Sequence, residues 1–172
     1  MVKNSQLTKI KVLVMDVDGV LTDGKIIFDS EGREVKVFDV QDGFGLVLLK
    51  KLGFKTAIIT ARGSKVVKIR ARDLMIDKVY LNAFPKINFY GKLCSEFGVK
   101  DDEICYIGDD LADIQIMKKV GLPVAVANAV SEVKKKAAYV TRAQGGAGAI
   151  REVIELILKA QGKWGKVLAS YR

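Results

Sequence analysis

Histidine is absent from the 172 residues. That absence removes Ser-His-Asp hydrolysis, Cys-His proteolysis, phosphohistidine chemistry and histidine-ligated zinc together. Cysteine occurs only at Cys94 and Cys105, eleven positions apart in apolar periodic stretches. Both read as buried thiols and not as a disulfide or redox pair. No apolar run approaches the ~18 residues a membrane helix needs. The amino-terminal residues 1–8 are polar and carry no signal-peptide core, so the expectation is a cytoplasmic protein with no membrane contact. Acid–base and nucleophilic groups must come from Asp, Glu, Lys, Tyr, Ser or Thr.

What is present is an ordinary globular composition. Apolar residues make up 49% of the chain, enough for a sizeable core, and at roughly 150 residues per domain the length predicts a single one, residues 1–172. Lys plus Arg is 29 against 20 Asp plus Glu, a net charge of +9. The cations are dispersed; Lys134, Lys135 and Lys136 form the only run of three, without interleaved aromatics. Such a surface suits steering of a small anion and gives no nucleic-acid signature.

Apolar runs and helical periodicities alternate. Strands are expected over 11–17, 55–60, 78–81, 104–108, 123–127 and 138–140. Helices are expected over 44–52, from a Ser64 cap to 74, from Pro85 to 97, from Asp110 to about 120, and briefly after a Ser131 cap. Ile150, Val153, Ile154, Ile157 and Leu158 give one apolar helical face. Repeated strand–helix units imply an α/β fold, a Rossmann-like parallel sheet with helices on both faces. One element breaks the rhythm: period-2 segments at 25–29 and 33–39 around Ser30-Glu31-Gly32 predict a protruding β-hairpin. About fifteen residues cannot hold their own core, so its Ile27, Phe28, Val35, Val37 and Phe38 need a partner surface.

In such a sheet ligands bind beyond the carboxyl ends of the strands. There the sequence places Asp16-Val17-Asp18-Gly19, then Thr60-Ala61-Arg62, then Gly108-Asp109-Asp110 with Asp113 one helical turn on; Lys86 follows the third strand. Clustered carboxylates in a crevice repel unless a cation lies among them. A hard divalent ion with oxygen ligands answers that, and magnesium suits few carboxylates plus a phosphate oxygen. The plainer alternative is that Asp16 and Asp18 only cap a turn. A Gly-x-Gly pair in the tail lacks the strand-first context and lysine of a nucleotide fingerprint.

The run Asp16-Val17-Asp18-Gly19-Val20-Leu21-Thr22-Asp23-Gly24 resembles the first motif of the haloacid dehalogenase-like phosphatases. Thr60, Lys86 and Gly108-Asp109-Asp110 follow in the order and spacing of that superfamily's other motifs. The likeness continues through 120–127 and 139–142 and covers about residues 10–162. The hairpin in place of a cap domain, with Gly145-Gly146 and the glycine-rich and helical tail of about 144–160, resembles the small subfamily acting on 3-deoxy-D-manno-octulosonate 8-phosphate, in lipopolysaccharide precursor synthesis. The resemblance implies Asp16 as nucleophile, Asp18 as general acid and base, and Thr60 and Lys86 holding the phosphoryl group. It implies Mg2+ held by the Asp16 carboxylate, the Asp18 carbonyl and the Asp109 carboxylate. Asp113 would support the ion's water shell; Asp110 would do the same or cap its helix. On the substrate side it implies Asp18, Asp39, Val40, Gln41, Asp42, Gly43, Arg62, Arg70 and Lys86, and a homotetramer in which a neighbour closes each site. Gln41 and Ala147 stand where that subfamily usually has arginine, which leaves a nine-carbon sugar acid 9-phosphate, or another small sugar phosphate, as the alternative substrate. A phospho-acceptor signalling domain would share the acids but need neither Asp18 nor the hairpin.

Overall fold

The computed structural model describes residues 2–171. After a short helix α1 (Asn4–Leu7), the chain enters β1 (Val12–Met15), four residues buried without exception. The hairpin strands β2 (Ile27–Phe28) and β3 (Glu34–Val35) follow, antiparallel and apart from the main sheet. The Asp29 carboxylate accepts from the Glu31 and Arg33 backbone N–H groups (both 2.9 Å) and shapes the turn between them.

The remaining elements alternate: α2 (Val40–Lys51), β4 (Lys55–Ile59), α3 (Lys65–Asp73), β5 (Lys78–Tyr80), α4 (Lys86–Phe97), β6 (Ile104–Gly108), α5 (Ile114–Met117), β7 (Leu122–Ala125), α6 (Ser131–Lys134), β8 (Tyr139–Val140), α7 (Ala149–Ala160) and α8 (Trp164–Ala169). The six main strands pair in parallel in the order β5-β4-β1-β6-β7-β8. The chain builds outward from β1 through β4 to β5, then crosses back to place β6 on β1's other side. The β1/β6 seam is therefore the topological switch point. Its register, Met15 beside Ile107, brings both strands to their carboxyl ends together.

Continuous apolar runs form these strands because both faces are covered. Helices α1, α2, α7 and α8 pack together, while α4 packs with α5. The apolar stripe of α7 expected from the sequence is wholly buried. Cys105 is buried and Cys94 half-buried, and both are free thiols. No helix among the described residues is long and apolar enough to cross a membrane.

Three expected helices differ in detail. The one expected at 44 begins at Val40, because the Asp39 carboxylate accepts from the Gln41 (2.7 Å) and Asp42 (2.9 Å) N–H groups and caps it. The one expected from 110 to 120 divides into a 3₁₀ turn, Leu111–Asp113, and α5, because Asp113 turns its carboxylate back toward the preceding loop. Ser131 does not cap α6; Val130 holds that position and the serine hydroxyl donates to Glu132.

Candidate active site

Asp16 and Asp109 emerge from β1 and β6, adjacent strands at the switch point. Asp16 is buried; one oxygen accepts from the Val17 N–H (2.7 Å) and the other from the Lys86 ammonium (2.5 Å). Lys86, the first residue of α4, also donates to Asp113 (2.6 Å). Asp113 is fully buried and spent: the Tyr106 hydroxyl donates to it at 2.6 Å, and the Asp109 and Asp110 N–H groups at 2.9 and 3.2 Å. It thus orients Lys86 and the loop bearing Asp109. Asp110 accepts from the Leu111 N–H (2.7 Å), which is the helix-capping alternative.

One ammonium faces three carboxylates here, and the oxygens of Asp16, Asp109 and Asp113 lie within 4.8 Å of one another. Burial, then repulsion from Asp16 and Asp113, pushes the Asp109 carboxyl up to about 7. Burial likewise pushes Asp16 up to about 6 against the pull of Lys86. Burial pulls Lys86 down, but the two aspartates outweigh it and its pKa ends above the ordinary value. Three acids face one lysine, so their full ionisation would leave two negative charges for a cation to balance. One buried oxygen, Asp109 Oδ1, has no hydrogen-bond partner. An all-oxygen donor set, an excess of two negative charges and an orphaned buried oxygen fit a hard divalent cation. Asp16 and Asp109 have oxygens to offer it; Asp113 does not.

Gly19 makes this convergence possible. It adopts φ +89°, and a Cβ there would lie 2.0 Å from Asp109 Oδ2. The glycine-rich tail stands behind it, with Gly145 so close that a Cβ would lie 1.8 Å from the Gly19 carbonyl oxygen. Asn128 ties the two together, donating to that carbonyl (2.9 Å) and accepting from the Gly145 N–H (2.6 Å). The tail therefore buttresses the first loop.

Asp18 faces a second cluster. Its carboxylate pairs with Lys36 of the hairpin and lies 3.7 Å from Arg62 Nε. Glu34 of β3 joins Lys36 (3.2 Å), Arg62 (3.4 Å) and the Ser64 hydroxyl. Thr60 is buried at the end of β4, next to β1, and its hydroxyl accepts from the Arg62 N–H (3.4 Å).

The segment 39–43, expected on the substrate side, opens α2. Asp39 is the α2 cap, while Val40 and Gln41 are exposed. Asp42 is buried, and its oxygens accept from the Gly148 (3.3 Å) and Arg151 (2.7 Å) N–H groups at the start of α7. Gly148 has no side chain to cap that helix, so Asp42 does; burial pushes its carboxyl up to about 6. Gly43 admits Arg70, whose guanidinium lies 5.6 Å from the Phe38 ring centroid and whose Nε is buried without a partner. Phe38 is thereby packed inside its own subunit, whereas Ile27, Phe28, Val35 and Val37 stay exposed. Sequence reasoning missed Lys36, Glu34, Tyr106 and Asn128. The period-2 alternation of Glu34, Lys36 and Phe38 marks a common inward face, the one signal that could have found the first two.

Paired aspartates and a lysine at the switch point of a parallel sheet define the class as a phosphoryl-handling hydrolase of the Asp-x-Asp kind. Haloacid dehalogenase-like hydrolases match over residues 75–154. The 3-deoxy-D-manno-octulosonate 8-phosphate phosphatase of Escherichia coli K12 is 43% identical over 154 residues, 90% of this chain and 82% of that protein. The Moraxella catarrhalis phosphatase of that name, in complex with magnesium ion, phosphate ion and KDO, matches with TM-score 0.96 and 40% identity over 98% of this chain and 97% of its own. The cobalt-bound Haemophilus influenzae phosphatase matches with TM-score 0.89 and 37% identity over 92% of each chain. The chain belongs to the haloacid dehalogenase-like hydrolases, in the branch formed by the 3-deoxy-D-manno-octulosonate 8-phosphate phosphatases.

Proposed function

We propose that this chain is a magnesium-dependent phosphatase that hydrolyses 3-deoxy-D-manno-octulosonate 8-phosphate to the free sugar acid and phosphate, a step in lipopolysaccharide precursor synthesis. The observation that carries the reading is the convergence of Asp16 and Asp109 on one desolvated pocket with Lys86 as its single lysine. The same fold binds magnesium, phosphate and KDO in the Moraxella relative.

The chemistry follows from the residues. Asp16 is ionised when the site is filled, so no base is needed to activate it. Its oxygen attacks phosphorus in line and the P–O bond to the sugar breaks, leaving an aspartyl-phosphate. Asp18 gives its proton to the departing sugar oxygen, then takes one from the water that attacks the same phosphorus and frees Asp16. Phosphate monoester and water are consumed; alcohol and phosphate are released. Lys86, with one N–H beyond those given to Asp16 and Asp113, and the Thr60 hydroxyl hold the phosphoryl oxygens. Asp16, Asp109 and the Asp18 carbonyl would hold the magnesium, which supplies shielding between nucleophile and phosphate and stabilises charge on the equatorial oxygens.

Arg62 and Arg70 are the guanidinium groups for the sugar-acid carboxylate, with Val40, Gln41 and Gly43 beside them. Asp39 and Asp42, which cap α2 and α7, belong to the same substrate-side segment. The outer hairpin face, Ile27, Phe28, Val35 and Val37, is the contact surface of a homotetramer whose neighbours close the sites. Residues 1–172 act as one unit in the cytoplasm. Gln41, neutral where arginine is usual, favours a second reading with a nine-carbon sugar acid 9-phosphate. Phosphate release from both substrates, with magnesium and with chelator, tests this. Magnesium-dependent release with a higher kcat/KM for the eight-carbon substrate is expected; release that ignores chelation, or no release from either, defeats the proposal.

A further inference from the structure

The second cluster gives the hairpin a task at the reaction centre that its outward face does not explain. Along the returning strand, Val35 and Val37 are 41% and 67% exposed. Lys36 between them points inward, and its side chain is only 2% exposed. A lysine ammonium is almost never enclosed unless paired. This one is divided between the Asp18 carboxylate and Glu34 (3.2 Å). Glu34 is held in turn by the Ser64 hydroxyl and by Arg62 at 3.4 Å. Ser64 also caps α3 through the Val67 N–H at 3.3 Å. An unbroken polar chain therefore runs from the start of α3 through Ser64, Glu34 and Lys36 to Asp18. Two acids and two bases compose its core, so unlike in the Asp16 pocket each acid has its own cation within reach.

We propose that Lys36 is a positioning residue: it fixes the Asp18 carboxyl group where the leaving oxygen collects its proton, and couples that placement to the hairpin. This rests on the reading of Asp18 as the proton donor. Lys36 has both its neighbours on the protein and no exposed surface to offer a substrate, so it acts through Asp18. The hairpin thus serves the centre of its own subunit with its inner face, whatever its outer face binds.

The test uses leaving-group dependence. An alkoxide leaving from the sugar phosphate needs a well-placed proton; p-nitrophenolate does not. kcat/KM reports steps up to departure of that group, so hydrolysis of the aspartyl-phosphate does not enter it. Lys36→Met is expected to lower kcat/KM for the sugar acid 8-phosphate by about 10- to 100-fold, the scale of a displaced general acid. For p-nitrophenyl phosphate the loss is expected to stay within about threefold, since little proton transfer is needed. Lys36→Arg keeps the charge and should recover most of the loss, and Glu34→Gln should show the same selectivity more weakly. Equal losses on both substrates, or none on either, overturn the inference. A wild-type enzyme that cleaves p-nitrophenyl phosphate but not the sugar phosphate defeats the substrate assignment instead. The same comparison is then made with an alkyl phosphate that it does cleave.

Discussion

The two ends of one sheet handle charge in opposite ways. At the amino ends of β1 and β4 lies an open groove lined by Lys9, Lys11, Lys55, Lys100 and Lys163 over Ile10 and Phe54. Its charges are ordinary: Lys9 pairs with Asp102 at 3.1 Å and Lys11 with Glu103 at 2.5 Å; Lys9, Lys11, Lys55 and Lys100 are exposed to water, and Lys163 lies half-buried over the Phe54 ring. At the carboxyl ends the charges are buried or half-buried, three acids to one lysine, with one oxygen unpartnered. Exposed pairs contribute little and are easily replaced. Buried charges of one sign destabilise the fold and persist where something else binds them. The open groove is thus the less informative end.

This contrast predicts a steep gradient of mutational effect. Asp16→Asn should lower turnover by about 10⁴-fold or more, since the nucleophile itself is lost. Its melting temperature should hold or rise, because a buried like charge is removed; phosphate release and thermal unfolding check both. Asp109→Asn should weaken magnesium binding by about 100-fold or more, beyond the usual cost of losing a ligand's supporting contact. Gly19→Ala should approach the same defect by displacing Asp109; calorimetry of magnesium binding reads both.

Proton linkage gives a smaller effect of defined sign. Asp109 at about 7 and Asp16 at about 6 lie above the ordinary carboxylate value, and a bound cation needs them ionised. Magnesium affinity should therefore fall as pH drops below about 7, with proton release on binding near pH 6.5 that vanishes by pH 8.5, seen by calorimetry in buffers of different ionisation enthalpy. Without metal, these raised groups and Asp42 make the folded state hold protons more tightly than the unfolded chain. The stability they contribute is present at low pH and lost as pH rises through about 6 to 7, so the metal-free protein should melt several degrees lower at pH 8 than at pH 5.5, at about 2–4 °C per kcal/mol. Asp42→Asn should flatten part of that slope. At the amino end, Lys11→Met with Glu103→Gln should leave turnover within about twofold, as for other exposed pairs; a large loss there would erase the contrast.

Much of this was readable from the sequence, for physical reasons. Strands buried on both faces must be continuous apolar runs, so β1, β4 and β6 announce themselves, and acids at their ends announce a crevice. The α7 stripe repeats every 3.6 residues and marks its own buried side. What could not be read depends on partners distant along the chain. Asp42 looks like a surface acid after a hairpin, yet caps a helix that begins more than a hundred residues later. Asp113 breaks its helix because its carboxylate is claimed by Lys86 and Tyr106 as well as the loop behind it. Lys36 sits in a period-2 pattern that assigns it a face but not the carboxylate it meets.

The most direct test of the account is to quench the wild-type enzyme with acid during turnover, reduce with borohydride and sequence the peptide containing Asp16. An acyl phosphate there is reduced to homoserine, and conversion at position 16 that depends on both magnesium and the sugar phosphate is predicted. Undiminished turnover with Asp16 unconverted, or conversion at another acid, would contradict it.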